Sequence, residues 1–380
     1  MPNGHQFPIR VAFLALALSL SASVGFAADA ERQVERTLAA RPGLIVELRN
    51  LAGNVTLVKA SGTEVRLRGT IHAAGASSAE AERIAGLLSI TADESGALWL
   101  VKAVYPLDEH RKYHYPRRDD DESLPWFLEW LDIGSSSFKY EERQVHIVSQ
   151  SSPGALTLYA DFRLELPEGV GATIRNGVGV ISSTGVRGDQ RLDISTGEVS
   201  VRDSSGKLGV DTGSGDVAIS RHAGDVGVDT GSGEVTLEEV QAGLVQIDTG
   251  SGDIRLTRVS GSFDADTGSG DILGSALTLG SKLLADTGSG DIRLSGDLSA
   301  LAQIDIDTGS GDVTLEASPT SAAPNVRLSV GTGSGEVSFD LPAGRVTRSG
   351  DGDLTAVIGS ATGTASISTG SGDVVVRGAS

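Results

Sequence analysis

Cysteine is absent from all 380 residues, so no disulfide staples the fold and no acceptor thiol follows the N-terminal segment to carry a lipid anchor. Aromatic residues are scarce at 4%, and with 50 glycines the chain has too little bulky apolar material for one large globular core. Narrow stacked coils with tight corners suit such a composition. Basic residues are outnumbered, 31 Lys and Arg against 50 Asp and Glu, for a formal charge of -19. Neutralising phosphates needs clustered Lys and Arg, so non-specific nucleic-acid binding is excluded and cations are the small partners this balance favours. Past the N-terminal segment, no apolar run is long enough to cross a bilayer as a helix.

The one long apolar run, Val11 to Val24 after Arg10, is about 14 residues, short of the roughly 20 a spanning helix needs. With small residues at Gly25, Ala27, Ala28 and Ala30 it reads as a secretory signal over residues 1–27, cleaved after Ala27 or Ala30. The expected location is therefore outside the cytoplasm, periplasmic or extracellular at the cell surface.

Self-similarity organises the second half. The hexapeptide Asp211-Thr212-Gly213-Ser214-Gly215-Asp216 returns from Asp229, Asp248, Asp266, Asp286 and Asp307, with Glu234 replacing the last acid once. Worn copies begin at Asn176, Ser195, Gly331, Arg348 and Ser368. The copies end at 180, 198, 216, 234, 253, 271, 291, 312, 336, 353 and 373, mostly 18 to 21 residues apart. Apolar residues alternate after each motif, as in Val217 and Ile219, and before it, as in Leu208 and Val210, which gives two short half-buried strands per repeat.

A period of two puts Thr212, Thr230, Thr249, Thr267, Thr287 and Thr308 on the apolar face, stacked at one corner, and turns the preceding aspartates outward. The glycines supply either positive φ or an approach that a Cβ would block. One coil cannot bury its own apolar face, but neighbours about 4.8 Å apart share a continuous narrow core. The expected fold is all-β: a parallel β-solenoid, or β-helix, of about eleven 18–21-residue coils over residues 151–380. Its final strand, Asp373-Val374-Val375-Val376-Arg377, is expected to leave an open edge and thus to favour weak end-to-end self-association.

Residues 31–104 read as an N-terminal β-rich capping region, with strands over 44–48, 55–58, 65–71 and 98–101, one helix near 79–88, and a worn turn from Arg49 to Val55. Residues 105–150 read as an insertion holding Tyr105, Tyr113, Tyr115, Tyr140, Trp126 and Trp130 beside the charged run Arg117 to Glu122. Tyr113, Tyr115, Trp126 and Trp130 are candidate binding residues for a cell-envelope glycan or protein. The competing reading is that Trp126, Phe127 and Trp130, at helical spacing after Pro125, cover an edge of the solenoid.

The Asn50-x-x-Gly53-Asn54-Val55 segment, the Leu164-Glu165-Leu166-Pro167 lead-in and the serial Gly-Ser-Gly-Asp turns resemble the DUF4097 family of candidate adhesins. The likeness covers about residues 40–380 apart from the insertion. It implies a β-helical cell-envelope protein and carries no catalytic residue across. The architecture alone is also similar to that of bactofilins, whose β-helical coils polymerise end to end.

The repeated acids set an electrostatic problem. Asp216, Asp229, Asp248, Asp253, Asp266, Asp271, Asp286, Asp291, Asp307 and Asp312 would form ladders of like charge about 5 Å apart, each pair repelling by roughly 1 kcal/mol in water. Hydrogen bonds from backbone N–H groups in the same turn would offset this, and so would weak Ca²⁺ binding. The order Gly-Ser-Gly-Asp, unlike the Gly-Gly-x-Gly-x-Asp of calcium β-rolls, favours the hydrogen bonds.

Catalytic readings fare worse. Ile247-Asp248-Thr249-Gly250 matches an aspartic-protease loop, but that chemistry needs two loops converging on one shared proton rather than serial copies. His110 and His114 have zinc-ligand spacing on a helix, which Tyr115-Pro116 argues against. Ser214, Ser232 and Ser251 lack a matching base. Uniform turns also leave little room for the specialised groove of a β-helical polysaccharide lyase or hydrolase. The sequence thus predicts a non-catalytic, adhesin-like or structural assembly module needing no cofactor. The alternative is a carbohydrate- or calcium-binding protein using the insertion or the aspartate ladder.

Overall fold

The computed structural model describes residues 28–116, 135–150, 152–319, 321–348 and 353–378. The described chain is all-β apart from one helix, Ser78–Ala85. Its repeats pair in parallel and in register, so that Leu208 lies beside Val226, Val226 beside Val245, and Val245 beside Phe263. These pairs belong to a first ladder, formed by the strand before each motif. The strand after each motif forms a second ladder, in which Val217 lies beside Val235, Val235 beside Ile254 and Ile254 beside Ile272. Alternate residues of both ladders point inward, and the inward set is buried throughout, Val217 at 1%, Val235 at 0% and Ile254 at 0% exposure. Each such side chain contributes about 1.5–3 kcal/mol when fully buried, so a few per repeat suffice to hold a stack together.

The motif forms the corner between the ladders, and its glycines are there for steric reasons. A Cβ on Gly213 would lie 2.5 Å from the Ser195 carbonyl oxygen, and one on Gly215 would lie 2.2 Å from that of Gly197. The same clash recurs down the stack, with Gly250 against Gly231 at 2.6 Å and Gly252 against Gly233 at 2.0 Å. Close backbone approach is thus the common requirement, while positive φ applies at Gly215 (134°) and Gly233 (150°). The corner threonines point inward, and all but Thr230, whose Oγ1 is buried without a partner, can tie their repeat to a neighbouring one. Thr267, Thr287 and Thr308 donate to the carbonyls of Gly252, Gly270 and Gly290, each at 2.9 Å.

A third side joins the second ladder back to the first. It turns through residues at positive φ that have no side-chain type in common: Asp203, Arg221, Glu239, Arg258 and Ala276, all between 50° and 55°. Here the neighbours alternate in charge. Arg221 grips Asp203 through Nε at 2.6 Å and a terminal nitrogen at 3.0 Å, and Arg258 reaches Glu239 at 3.1 Å. Pairing is irregular on this side, with register shifts between Gln241 and Leu244, Gly261 and Phe263, and Gly274 and Leu277.

At the N-terminal end the ladders pass into antiparallel strands. Ile45–Ala52 pairs with Gly171–Thr184 and, on its other side, with Leu98–Val104, which pairs antiparallel with Ser89–Ser95. Val55–Lys59 pairs with Leu156–Leu166, which leads antiparallel to Glu64–Gly75 and on to Ala28–Ala39. Ala28–Ala39 is a strand the sequence reading passed over, because polar residues occupy both faces of Asp29 to Arg36. The helix is capped by Ser77, whose Oγ accepts from the Glu80 amide at 3.3 Å, and Arg32 donates to the carbonyls at its far end. The worn turn Arg49 to Val55 sits in the ladder itself, with Asn50 beside Asn176.

The C-terminal end departs from expectation. Val374–Gly378 is not an open edge: it lies between Val313–Ala317 and Val337–Asp340, parallel to both. The outermost strand of the second ladder is instead Val337–Asp340, and Arg348 donates to its Val337 carbonyl at 3.0 Å. The described residues that flank the worn copy ending at 353 pair antiparallel rather than as a parallel repeat. Its residues 349–352 lie outside the described residues; on either side of them Arg345–Arg348 and Leu354–Val357 form an antiparallel pair, and Leu354–Val357 lies antiparallel against Val326–Thr332. The unusual 24-residue interval from 312 to 336 is where the chain steps over the strand inserted later.

Candidate functional site

The motif gives two rows of acids with different surroundings. The last aspartate of a motif reaches not its own turn but the next repeat, whereas Glu234 accepts from its own Thr236 Oγ1 at 2.9 Å. Asp253 Oδ1 accepts from the Asp271 amide at 2.9 Å, Asp271 from Asp291 at 2.8 Å, and Asp291 from Asp312 at 2.7 Å. Asp216 accepts from the Glu234 amide in the same way, at 2.8 Å. These bonds favour the ionised carboxylate. The Asp312 amide, joined by the Arg293 guanidinium, holds the Asp291 carboxyl below its ordinary value. The expected offset to repulsion is therefore present, but between repeats rather than within a turn.

The first acid of each motif faces outward. Asp229, Asp248, Asp266 and Asp286 lie side by side in register on the first ladder, and Asp307, next in that row, accepts from Ser368 Oγ at 2.5 Å. Burial first, then Asp248 and Asp264, pushes the Asp266 carboxyl up. Burial, then Asp266, Asp307 and Asp305, does the same to Asp286. Beside this row runs a shallow trough of about 490 Å³ with Gly209 and Gly227 in its floor. Neither glycine is required by the backbone, since a Cβ on either would meet nothing within 4 Å. Among the described residues no group of three or more His, Asp or Glu converges as a metal-ligand set.

The described parts of residues 105–150 pack against the first repeats. Lys112–His114 and Ser135–Tyr140 flank Arg143–Val148, and Lys112–His114 also pairs with Leu156–Leu166. Tyr113 is fully buried and donates to the His110 carbonyl at 3.2 Å, while Tyr115, 8% exposed, donates to Asn54 Oδ1 at 3.0 Å. As candidate ligand contacts these two are corrected to packing residues, stacked edge-on against Tyr105 and Tyr159 respectively. Trp126 and Trp130 lie outside the described residues. His110 and His114 do not share a helical face, because 112–114 is a strand, and both ring nitrogens of His114 are engaged, with Thr157 Oγ1 at 3.0 Å and the Ser149 carbonyl at 3.2 Å.

Glu198 and His222 are among the buried titratable groups that escaped the sequence reading. Glu198, at the corner position that exposed or half-buried acids occupy elsewhere, is 5% exposed, and its Oε2 has no hydrogen-bond partner. Burial, then the Asp216 charge, pushes its carboxyl up to about 8. His222 is 2% exposed and sits inside the stack with Nδ1 2.8 Å from Ser204 Oγ, and burial lowers its pKa. The only sequence signal was a polar residue at an inward position of an otherwise apolar row, where Val240 follows His222.

In-register parallel repeats whose corners are bound to one another by side-chain and backbone hydrogen bonds define a repeat-built all-β protein. The chain belongs to the Toastrack DUF4097 family, whose model matches residues 188–377. No curated protein matches it. Among solved structures it is similar to an adhesin candidate from Parabacteroides merdae, at 8% identity over 92% of this chain and 96% of that one, TM-score 0.31. An adhesin candidate from Bacteroides fragilis matches at 10% identity over 90% and 96%, TM-score 0.30. A cell-adhesion candidate from Clostridium sporogenes matches at 10% identity over 91% and 100%, TM-score 0.19.

Proposed function

We propose that the chain is an exported, non-catalytic β-solenoid that works as an adhesin-like or structural module of the cell envelope or cell surface. The observation that carries this reading is the use of the motif: its threonine, both glycines and its last acid each hold one repeat to the next. Such a repeat builds an extended surface rather than a single chemical site. The relatives described as adhesion candidates accord with it, and so does the signal-like run at residues 1–27. Because the protein has no cysteine, one introduced at the exposed Ser95 reports location cleanly. Labelling of Ser95→Cys on intact cells by an impermeant maleimide, together with weaker attachment of cells lacking the protein, is the expected result. Labelling only after complete lysis, with unchanged attachment, would defeat the proposal.

The acid-walled trough favours a second reading, a weak multi-site Ca²⁺ or glycan binder. Calorimetric titration with CaCl₂ and with cell-envelope glycans separates the two, since saturable heat lost in an Asp229→Asn/Asp248→Asn variant supports the second.

A further inference from the structure

The last repeat in the sequence is not the last in the stack. In the first ladder Gly363–Thr369 lies between Gln303–Thr308 and Val326–Thr332, with Thr369 facing Thr308 on one side and Thr332 on the other. Both walls make the same bonds to it. Thr369 Oγ1 donates to the Gly311 carbonyl at 2.9 Å, and Thr332 Oγ1 donates to that of Gly372 at 2.8 Å. The amides of Asp373 and Glu336 donate to the carboxylates of Asp312 and Asp373 at 2.9 and 2.8 Å. The wall that accepts the late repeat is therefore complementary to the repeat beyond it as well.

This equivalence constrains assembly. A chain made from its N-terminus presents 326–340 before 363–378, and the earlier segment fits the Gln303–Thr308 edge in the same register. Reaching the observed order requires the outer repeat to stand off by one strand spacing, about 4.8 Å, and leave a slot. The connections allow this. Residues 318–325, between Val313–Ala317 and Val326–Thr332, reach about 26 Å when extended, against the roughly 10 Å of a two-strand step. The return, 341–362, carries the antiparallel pair Arg345–Arg348 and Leu354–Val357 on the outer repeat. An open slot does not distinguish its own 363–378 segment from that of another molecule, because the contacts are identical. Exchange of an identical element is a low-cost route to dimers.

We propose that residues 363–378 form an exchangeable repeat and that a second copy of this chain is the partner that fits the slot, by reciprocal insertion. The tether favours closure within one chain at low concentration, since it supplies an effective concentration of the order of millimolar. Exchange dominates when many slots are open together. Asp305 and Ser366 are exposed partners in adjacent strands, within the usual reach of a disulfide.

Full-length Asp305→Cys and Ser366→Cys variants are unfolded, mixed, refolded across a range of concentrations and oxidised. The expected result is a covalent heterodimer whose fraction rises with concentration, severalfold above an Asp229→Cys plus Ser366→Cys control. The double variant Asp305→Cys/Ser366→Cys should cross-link within one chain when dilute. No heterodimer at any concentration, or one no more abundant than the control, overturns the proposal. Should the variants fail to fold, sedimentation of the unmodified chain refolded at high concentration decides: a dimer that persists on dilution supports exchange, and monomer throughout overturns it.

Discussion

Asp312 Oδ1 accepts a hydrogen bond at 2.9 Å from the backbone amide of Asp373, a residue 61 positions further along the chain. The same type of bond joins Asp271 to Asp291, only 20 positions apart. A local repeat contact and a long-range one are thus chemically the same, and the two should respond alike to mutation. Asp271→Ala and Asp312→Ala each orphan a backbone amide, at a cost of about 1–2 kcal/mol in urea denaturation. Asp312→Ala should in addition raise hydrogen exchange at Asp373, far away in sequence.

The outward acids should behave in the opposite sense. Asp286 is flanked by like charges and its carboxyl is held up, so Asp286→Asn should be neutral or stabilising by up to about 1 kcal/mol at low salt. For a raised carboxyl the favourable state is the protonated one, so its contribution is present at low pH and lost as pH climbs through the folded value. The lowered carboxyl of Asp291 works in reverse, its contribution being lost on acidification. Melting curves of Asp286→Asn and Asp291→Asn from pH 3 to pH 8 check the two signs.

Glycine substitutions discriminate the corner from the trough. Gly215→Ala drives a Cβ to 2.2 Å from the Gly197 carbonyl oxygen at positive φ, and should cost about 3 kcal/mol or more. Gly209→Ala meets nothing, and should stabilise by about 0.4–1 kcal/mol through the unfolded chain. Equal effects in thermal melts would contradict the close-approach account of the corner.

Glu198 and His222 together set a pH window. The Glu198 carboxyl, raised from 4.5 to about 8, contributes most when protonated, and that contribution fades as pH rises through 8. His222, lowered from 6.5, is buried neutral, so stability falls as pH drops below 6.5 and the unfolded chain takes up a proton. Glu198→Gln should remove the loss of stability between about pH 4.5 and 8 and leave the His222 loss below pH 6.5 in place, as read by denaturant midpoints at each pH.

At the third side, Ala276 holds φ 52° with no acid or base to justify a side chain. Ala276→Gly should stabilise by up to about 1 kcal/mol. Arg221→Gly, which also loses the exposed pair with Asp203, should be close to neutral and salt-dependent.

The ladders, the inward threonines and the glycine corners were legible because each rests on a periodic requirement that marks every repeat alike. Repeat order at the C-terminus was not, since Thr308, Thr332 and Thr369 head near-identical motifs and identical motifs cannot specify which neighbour they take. Only the stretched interval from 312 to 336 hinted at a step over one strand. The third-side corner left no trace either, because Asp203, Arg221, Glu239, Arg258 and Ala276 share a backbone conformation and no chemistry. For the candidate site, Tyr113 and Tyr115 misled because an aromatic-rich insertion looks the same whether its rings face solvent or close a joint.

The irregular pairing is confined to one edge. The corner keeps a fixed length from threonine to acid, so every extra residue in the longer repeats falls between the second ladder and the first, where the register already slips. Evolution, or an engineer, therefore has one seam into which sequence can be spliced without disturbing either wall: grafts at Gln241–Leu244 or Gly274–Leu277 would display new loops beside the two parallel ladders.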